Sequence, residues 1–248
     1  MKAVLLVGGL GTRLRLAVPS LPKVLASVGD RPFLELLVRQ LVGQGVRQLV
    51  MCTGYLAEQI EDVFQDGSDF GVTIEYSKET IPLGTAGALK LAQHYLQHES
   101  EFLVLNGDSF LEIDFNEVIG FHRKHRCLAT IAVAPVENAS RYGTVQMGVE
   151  DRVLGFTEKT GQKEPGIINA GVYVFDNAVL AQIPEGPVSL ERDIFPRLLQ
   201  QGLFAAKQQG IFIDIGIPDD YARAREIYDH LVNAALYKRG NISSMTSS

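Results

Sequence analysis

The sequence has few cysteines and few histidines, the residues that most often build disulfide frameworks and zinc sites. Its 248 residues include two cysteines, Cys52 and Cys127, and five histidines. The cysteines lack CxxC spacing and lie in apolar runs, which is more typical of buried thiols in a reducing compartment, although the spacing leaves a disulfide open. The histidines form no HExxH pattern, so the sequence predicts neither a zinc site nor a histidine general base.

Positive charge and long apolar runs are also scarce. The formal net charge is -6 at pH 7, which predicts no broad basic surface for nucleic acid or an anionic membrane. The first apolar run breaks at Gly8 and Gly9, before it reaches the length of a signal peptide's apolar core, and no later run approaches the length of a membrane span. The sequence therefore predicts a cytoplasmic protein without nucleic-acid or membrane partners.

Short apolar runs alternate with amphipathic stretches in the first half of the chain. We predict strands there at residues 3–7, 48–53, 72–76 and 102–105, and helices at 32–42, 57–64 and 86–96. This alternation is typical of an α/β fold with a Rossmann-like, doubly wound, mainly parallel sheet. In the second half we predict strands at 128–134, 144–149, 153–158 and 171–175, several of them connected by hairpins, and helices at 189–200 and 218–236. These strands make the sheet mixed and add a small subregion. Residues 1–236 are predicted to form one domain and 237–248 a short polar tail.

A glycine-rich segment follows the first predicted strand. Glycines 8, 9 and 11 let the backbone approach a phosphate, and their N–H groups can cradle it. Arg13 and Lys23 add permanent positive charge beside that cradle, although a plain tight turn with solvated cations is an alternative. The segment lacks the Gly-Lys-Ser/Thr ending of a Walker A loop, and Leu14 occupies the position of the third glycine of a dinucleotide fingerprint. A hydride-transferring enzyme is therefore disfavoured.

Six motifs in order resemble those of the sugar-1-phosphate nucleotidyltransferase family. They cover about residues 1–225 and comprise residues 8–13 with 21–23, 82–88, 106–108, 158–159, 169–171 and 212–216. The resemblance implies a nucleotide-binding set of Gly8, Gly9, Gly11, Thr12, Glu79, Gly84 and Thr85. It implies a sugar-binding set of Gly143, Glu158, Asn169 and Gly171, which gives the small subregion its role. It implies Arg13, Lys23 and Lys159 as catalytic cations, and Asp108 and Asp214 as ligands of a Mg²⁺ cofactor.

The implied chemistry agrees with the residues that are present. Asp108 follows a predicted strand, where open α/β sheets place their ligands, and a carboxylate suits Mg²⁺. Asp214 depends more on the resemblance, because an aspartate before Pro218 is otherwise typical of a helix cap. The attacking group in such a reaction is a phosphate oxygen that is already ionised at neutral pH, so no general base is needed. Fixed charges and positioning should supply most of the rate.

The nucleotide and the sugar are harder to predict. Glu79 and the loop at residues 82–88 resemble guanylyltransferases, since a carboxylate can accept from N1–H and the exocyclic amine of guanine; a solvated Glu79 is the alternative. The chain resembles D-glycero-D-manno-heptose 1-phosphate guanylyltransferases most, then mannose-1-phosphate guanylyltransferases. Val24 departs from the family, where many members have proline. GTP and a sugar 1-phosphate are thus the expected partners, and a homo-oligomer is left open.

Three alternatives compete with this prediction. A uridylyl- or thymidylyltransferase would use the same motifs on another sugar 1-phosphate. A non-catalytic nucleotide-sugar sensor would share the fold, but it would not need to retain Asp108, Asp214 and the cations together. A dehydrogenase-like nucleotide binder is disfavoured by Leu14.

Overall fold

The computed structural model describes residues 1–9, 11, 20–157, 161, 163–216 and 218–236. Within these residues the fold is built on a mixed sheet of nine strands, accompanied by two ribbons of two strands each. The strands are β1 Ala3–Leu6, β2 Ser27–Val28, β3 Arg31–Pro32, β4 Gln48–Thr53, β5 Thr73–Lys78, β6 Glu101–Asn106, β7 Ser109–Leu111, β8 Ala129–Val136, β9 Thr144–Met147, β10 Val153–Thr157, β11 Gly166–Asp176, β12 Leu203–Lys207 and β13 Phe212–Asp214.

Helices connect most of the strands in the first half. The α-helices are α1 Phe33–Gly43, α2 Ala57–Phe64, α3 Gly84–Leu91, α4 Gln93–Leu96, α5 Phe115–His125, α6 Phe195–Leu198, α7 Pro218–Glu226 and α8 Tyr228–Ala235. Shorter 3-10 turns occur at Lys23–Leu25, Ser68–Phe70, Val149–Asp151 and Asn177–Gln182, and a π-helical turn at Leu190–Ile194. None of the helices in the described residues is both long enough and apolar enough to cross a membrane.

The strand order places a switch point at the carboxyl end of β1. Strands β5, β4, β1 and β6 lie side by side in parallel, so the chain moves outward from β1 first in one direction and then in the other. The long strand β11 runs antiparallel to β6 and also pairs with β8 and β9, while β12 runs parallel to β8. This topology confirms the predicted doubly wound, mixed sheet, and ligands of such sheets bind in the crevice at the switch point.

Apolar layers cover both faces of the sheet. The first layer holds α1, whose Leu34, Leu37 and Leu41 recur at helical spacing and are fully buried together with alternate residues of β1. The second layer holds α3 and α6, with Phe195 packed against Tyr173 of β11 at 5.3 Å between ring centroids. Each large side chain buried in this way contributes about 2 kcal/mol to the free energy of folding. The two layers therefore stabilise the sheet on both faces.

Three predicted helices are interrupted in the structure. The helix predicted at 86–96 is divided between α3 and α4, and the one at 218–236 is divided between α7 and α8. The segment predicted as helix at 189–200 begins with the π-helical turn and continues as α6, whose first turn contains Pro196. Proline lacks the N–H that a continuous helix needs, so it fits best in a first turn. The predicted tail at 237–248 lies outside the described residues.

Candidate active site

An open cleft lies at the carboxyl end of the parallel strands. Its volume is about 850 Å³. The polar side chains on its wall come from β6, the turn after β6, β11, the π-helical turn and β13. They include Asn106, Asp108, Asn169, Glu191, Arg192 and Asp214. Residues far apart in the sequence therefore meet at the edge where the topology predicts ligand binding.

Lys23, Asp108 and Asp214 lie close together, and the two aspartates line this cleft. Strands β7 and β13 pair antiparallel with Ser109 opposite Asp214, and the Ile215 N–H donates to the Asp108 carbonyl at 3.0 Å. The Lys23 ammonium makes an ion pair with Asp108 Oδ2. A Cβ on Gly216 would lie 2.8 Å from both Asp214 Oδ1 and Lys23 Nζ. The structure thus brings these three predicted residues together, and a side chain at position 216 would have to displace the ends of Asp214 and Lys23.

This cluster has the chemistry of a magnesium site. Asp214 lies on β13, and Asp108 directly precedes the partner strand β7, with its carboxylate paired to the Lys23 ammonium. Mg²⁺ prefers oxygen ligands and usually takes one or two carboxylates from protein, with substrate phosphates and water beside them. The space next to the Asp108 carboxylate already accommodates a cation, the Lys23 ammonium. The donor set therefore fits Mg²⁺.

The glycine-rich segment packs closely on its neighbours. Gly11 has φ of +57°, and a Cβ there would lie 2.9 Å from the Lys23 Cβ. A Cβ on Gly8 would lie 3.0 Å from Glu79 Oε1, whereas Gly9 is exposed and faces open space. Only Gly9 of these three leaves room above its backbone for a ligand. Thr12 and Arg13, predicted to bind and neutralise phosphate, lie outside the described residues.

Glu79 is half-buried beside the glycine-rich segment. Its Oε2 accepts a hydrogen bond from the Leu83 N–H at 3.0 Å, and burial raises the pKa of its carboxyl group. A Cβ on Gly54 would lie 2.7 Å from Glu79 Oε1. Glu79 is therefore held between the ends of β1 and β4, which does not fit the alternative of a freely solvated side chain. Its predicted contact with the base stays a prediction.

The start of α3 is fastened to the cleft wall. Gly84 has φ of +72° and comes so close to the Val188 carbonyl that a Cβ would lie 2.6 Å from its oxygen. The Thr85 hydroxyl donates to Glu191 Oε2 at 2.9 Å and accepts from the Leu190 N–H at 2.8 Å. Thr85 was predicted to bind nucleotide, but its hydroxyl already joins α3 to the π-helical turn.

The predicted sugar-binding residues lie on the same cleft. Asn169 Oδ1 accepts from the Gly171 N–H at 2.9 Å, and Asn169 Nδ2 donates to the Tyr173 hydroxyl at 3.0 Å. Gly171 has φ of +73°, and a Cβ there would lie 2.8 Å from the Asn106 Nδ2. Gly143 also lines the cleft. Glu158 and Lys159 follow β10 directly and lie outside the described residues.

Several cleft residues were not among the predicted site residues. Asn106 Oδ1 is buried with no hydrogen-bond partner among the described residues, although Asn106 belongs to the Asn-Gly-Asp motif that marks the site. The Tyr142 hydroxyl donates to Asp220 Oδ2 at 2.6 Å, and burial raises the pKa of Tyr142. Glu191 and Arg192 belong to the π-helical turn.

Similarity to known proteins shows the family of this chain. Residues 2–230 match the family model of the nucleotidyl transferases, and the chain belongs to that family, as its motifs predicted. It is 39% identical over 230 residues to the mannose-1-phosphate guanylyltransferase catalytic subunit beta of Drosophila pseudoobscura pseudoobscura, covering 92% of this chain and 62% of the relative. It is 40% identical over 232 residues to mannose-1-phosphate guanyltransferase beta-B of Xenopus laevis, covering 92% and 64%. The chain thus spans less than two thirds of the length of these relatives.

Solved structures share the fold over nearly all of this chain. HddC from Yersinia pseudotuberculosis complexed with GMP-PN superposes with a TM-score of 0.83 at 32% identity, covering 92% of this chain and 99% of HddC. UDP-glucose pyrophosphorylase from Acinetobacter baumannii superposes with a TM-score of 0.76 at 25% identity, covering 92% of both chains. The Rossmann-like fold predicted from the sequence is therefore confirmed.

Proposed function

We propose that this chain is a magnesium-dependent guanylyltransferase that joins GTP to a mannose or heptose 1-phosphate and releases pyrophosphate. The observation that carries the proposal is the cluster of Lys23, Asp108 and Asp214 at the switch point of the sheet. Relatives named mannose-1-phosphate guanylyltransferase and a neighbour solved with GMP-PN support guanine as the base. The reaction would take place in the cytoplasm, where nucleoside triphosphates are available.

The charged residues of the site have different electrostatic roles in the proposed reaction. Asp108 and Asp214 would hold Mg²⁺, which when bound neutralises the α-phosphate and activates it toward attack. Lys23 adds a positive charge beside Asp108 and offsets the charge of the triphosphate. Arg13 and Lys159 are proposed to neutralise the triphosphate and to steer the acceptor phosphate. Such preorganised charges act more strongly in a cleft than in open water, and losing one typically costs about 100- to 1000-fold in rate.

The position of Glu79 supports guanine selectivity. Its Oε2 accepts from the Leu83 N–H and its Oε1 lies beside Gly8 and Gly54, so each oxygen keeps a lone pair that can accept a further hydrogen bond. A carboxylate fixed there can accept from N1–H and the exocyclic amine of guanine, whereas uracil and thymine lack that pair of donors. A site built around an acceptor pair discriminates strongly against a base that leaves it unpaired.

Pyrophosphate release tests the proposal. We would measure it with magnesium for GTP, UTP, dTTP, CTP and ATP, each against mannose 1-phosphate, heptose 1-phosphate and glucose 1-phosphate. The proposal predicts release with GTP and with mannose or heptose 1-phosphate, and loss of release when EDTA removes magnesium. Release with UTP or dTTP alone would retain nucleotidyl transfer and contradict the role of Glu79. Folded protein that binds a nucleotide yet releases no pyrophosphate with any pair would favour the sensor.

A further inference from the structure

Glu191 stands out among the cleft residues because one of its carboxylate oxygens is fixed and the other is not. Glu191 is half-buried in the π-helical turn and lines the cleft. Its Oε2 accepts two hydrogen bonds, from the Thr85 hydroxyl at 2.9 Å and from the Ser189 hydroxyl at 2.8 Å. Within the described part of the chain, Oε1 has no hydrogen-bond partner. The carboxylate is thus oriented by one oxygen and leaves the other as an acceptor.

The two hydroxyl donors give this carboxylate a defined orientation. Ser189 is buried and also caps the π-helical turn by accepting from the Arg192 N–H at 3.2 Å. The Ser189 N–H donates to Asp193 Oδ2 at 2.7 Å, which closes the turn from the other side. A side chain whose supporting partners are themselves held in place is well suited to orient a ligand.

The neighbouring asparagine is less free to bind a ligand. Asn169 uses Oδ1 for the Gly171 N–H and Nδ2 for the Tyr173 hydroxyl. An amide in that arrangement keeps one N–H and one lone pair, whereas Glu191 keeps the full accepting capacity of Oε1. The strongest free acceptor on this part of the wall is therefore Glu191. A carboxylate accepts and does not donate, so its partner must be a donor, and the donors of a sugar phosphate are its hydroxyl groups.

We infer that Glu191 is a specificity-determining residue that accepts a hydrogen bond from a hydroxyl group of the sugar 1-phosphate. This inference rests on the proposed function, because it takes the acceptor substrate to be a sugar. A hydrogen bond to a charged group contributes enough to change kcat/KM about 10- to 100-fold. Glu191 would thus distinguish sugars by whether they present a hydroxyl at one particular ring or side-chain position.

The test compares deoxy analogues of the sugar 1-phosphate in wild-type protein and in Glu191→Gln. Glutamine keeps an oxygen for the Thr85 and Ser189 hydroxyls but removes the charge. In the wild type, one deoxy analogue should lose about 10- to 100-fold in kcat/KM. In Glu191→Gln, KM for the intact sugar 1-phosphate should rise about tenfold, KM for GTP should change less than about twofold, and the penalty for that analogue should shrink to about threefold or less.

Glu185→Gln is the matched control. It makes the same chemical change at an exposed position in the preceding segment, outside the cleft wall, and should reproduce the wild-type pattern. An unchanged penalty for every deoxy analogue in Glu191→Gln would overturn the inference. So would a wild type that is indifferent to every deoxy analogue, a result that does not depend on how the variant folds. Absence of turnover with any intact sugar 1-phosphate would instead contradict the proposed function.

Discussion

At the residue scale, the Lys23–Asp108 ion pair is the clearest electrostatic feature of the cleft. The Lys23 side chain is 14% exposed and that of Asp108 is 32% exposed, so the pair is less screened than one on the surface. Asp108 and Asp214 are negative charges in a cleft proposed to receive two anionic substrates. That arrangement favours a substrate that arrives with a cation, because bare phosphates would be repelled.

Replacing Asp108 tests this role. Asp108→Asn should lower kcat about 100- to 1000-fold, since it removes a proposed magnesium ligand and half of the charge pair. The melting temperature should stay within a few degrees of the wild type, because the amide has nearly the same shape. Steady-state pyrophosphate release and thermal unfolding measure the two effects. Asp69→Asn, at an exposed position, is the control, and a kcat in Asp108→Asn close to that of the wild type would remove Asp108 from the proposed machinery.

His122 is a second residue with an unusual environment. Although it begins a charged run at residues 122–126, it is only 3% exposed and lies on the inner face of α5. Its Nδ1 lies 3.0 Å from the Thr130 hydroxyl and 3.5 Å from Cys127 Sγ. Burial lowers the pKa of His122 below its ordinary value of 6.5. The sequence did not predict this burial, because the charged residues that follow His122 obscure the apolar face that it shares with earlier residues of α5.

Stability should therefore depend on pH through His122. Below about pH 6.5 the unfolded chain takes up a proton that the folded chain resists, so the free energy of unfolding falls as the pH falls. Urea titrations at about pH 7.5, 6.5 and 5.5 should show the wild type losing about 1 kcal/mol more than His122→Gln over that range. His98→Gln, at an exposed position, should follow the wild type. Identical pH dependence in His122→Gln and the wild type would contradict this account.

At the element scale, α3 holds the loop at residues 82–88, which is proposed to bind the base, next to the cleft wall. Gly87 lies in α3 where the helix meets the segment before the π-helical turn, and a Cβ there would overlap the Gly186 carbonyl oxygen. Backbone cannot yield as a flexible side chain does. The close approach of α3 therefore requires glycine at this position.

Two glycine-to-alanine variants test that requirement. Gly87→Ala should destabilise the protein by about 1–3 kcal/mol, because the added methyl group forces the helix away from the wall. Gly120→Ala, on the exposed face of α5 with open space above it, should be neutral or stabilise by up to about 1 kcal/mol, since alanine favours helix. Chemical denaturation compares them. Equal effects of the two substitutions would show that the contact between α3 and the wall is not as close as described.

A second link between elements joins the loop before β9 to α7. Tyr142 precedes Gly143 in the cleft, packs edge-on against Phe212 at 5.6 Å between centroids, and donates to Asp220 of α7. The adjacent Arg141 pairs with Asp219 at 2.8 Å. Because α7 follows Asp214 closely along the chain, this link ties the proposed sugar side of the cleft to the proposed metal side.

Loss of the Tyr142 hydroxyl should weaken binding of the sugar 1-phosphate. Tyr142→Phe should raise KM for the sugar 1-phosphate about fivefold, change KM for GTP less than about twofold, and cost about 1 kcal/mol of stability. The control is Tyr221→Phe in α7. The Tyr221 hydroxyl donates instead to the Ser27 carbonyl at 2.7 Å. It should leave both KM values unchanged. Equal increases in the two KM values for Tyr142→Phe would indicate a general loss of structure in place of a specific link.

Element boundaries were predictable where one force dominates. Strand Gln48–Thr53 and helix Ala57–Phe64 match their predicted bounds. The strand is a continuous apolar run and the helix has a regular amphipathic pattern, and each pattern is typical of one kind of secondary structure. The π-helical turn was not predictable, because it depends on contacts of Ser189 with Glu191 and Asp193 that no periodicity reveals. Strands β12 and β13 were missed because each is short and finds its partner far away in the sequence.

At the scale of the whole molecule, the site is assembled by topology. The parallel strands bring their carboxyl ends to one edge, and β13 returns beside β7 to place Asp214 next to Asp108. The sequence motifs predicted that Lys23, Asp108 and Asp214 would share one site, and the structure places these three close together. The motifs could not predict that the Thr85 hydroxyl would form a hydrogen bond with Glu191, or that Glu191 would line the cleft. Both outcomes depend on how α3 packs against the π-helical turn.

The most direct test of the account is product analysis by mass spectrometry. Wild-type protein and Asp214→Asn would be incubated with GTP, magnesium and either mannose 1-phosphate or heptose 1-phosphate. We predict that the wild type forms a guanosine diphosphate sugar and pyrophosphate in equal amounts with at least one of these sugars, and that Asp214→Asn forms about 100-fold less. Absence of a nucleotide sugar with both sugars, or equal yields from the two proteins, would contradict nucleotidyl transfer at this cleft.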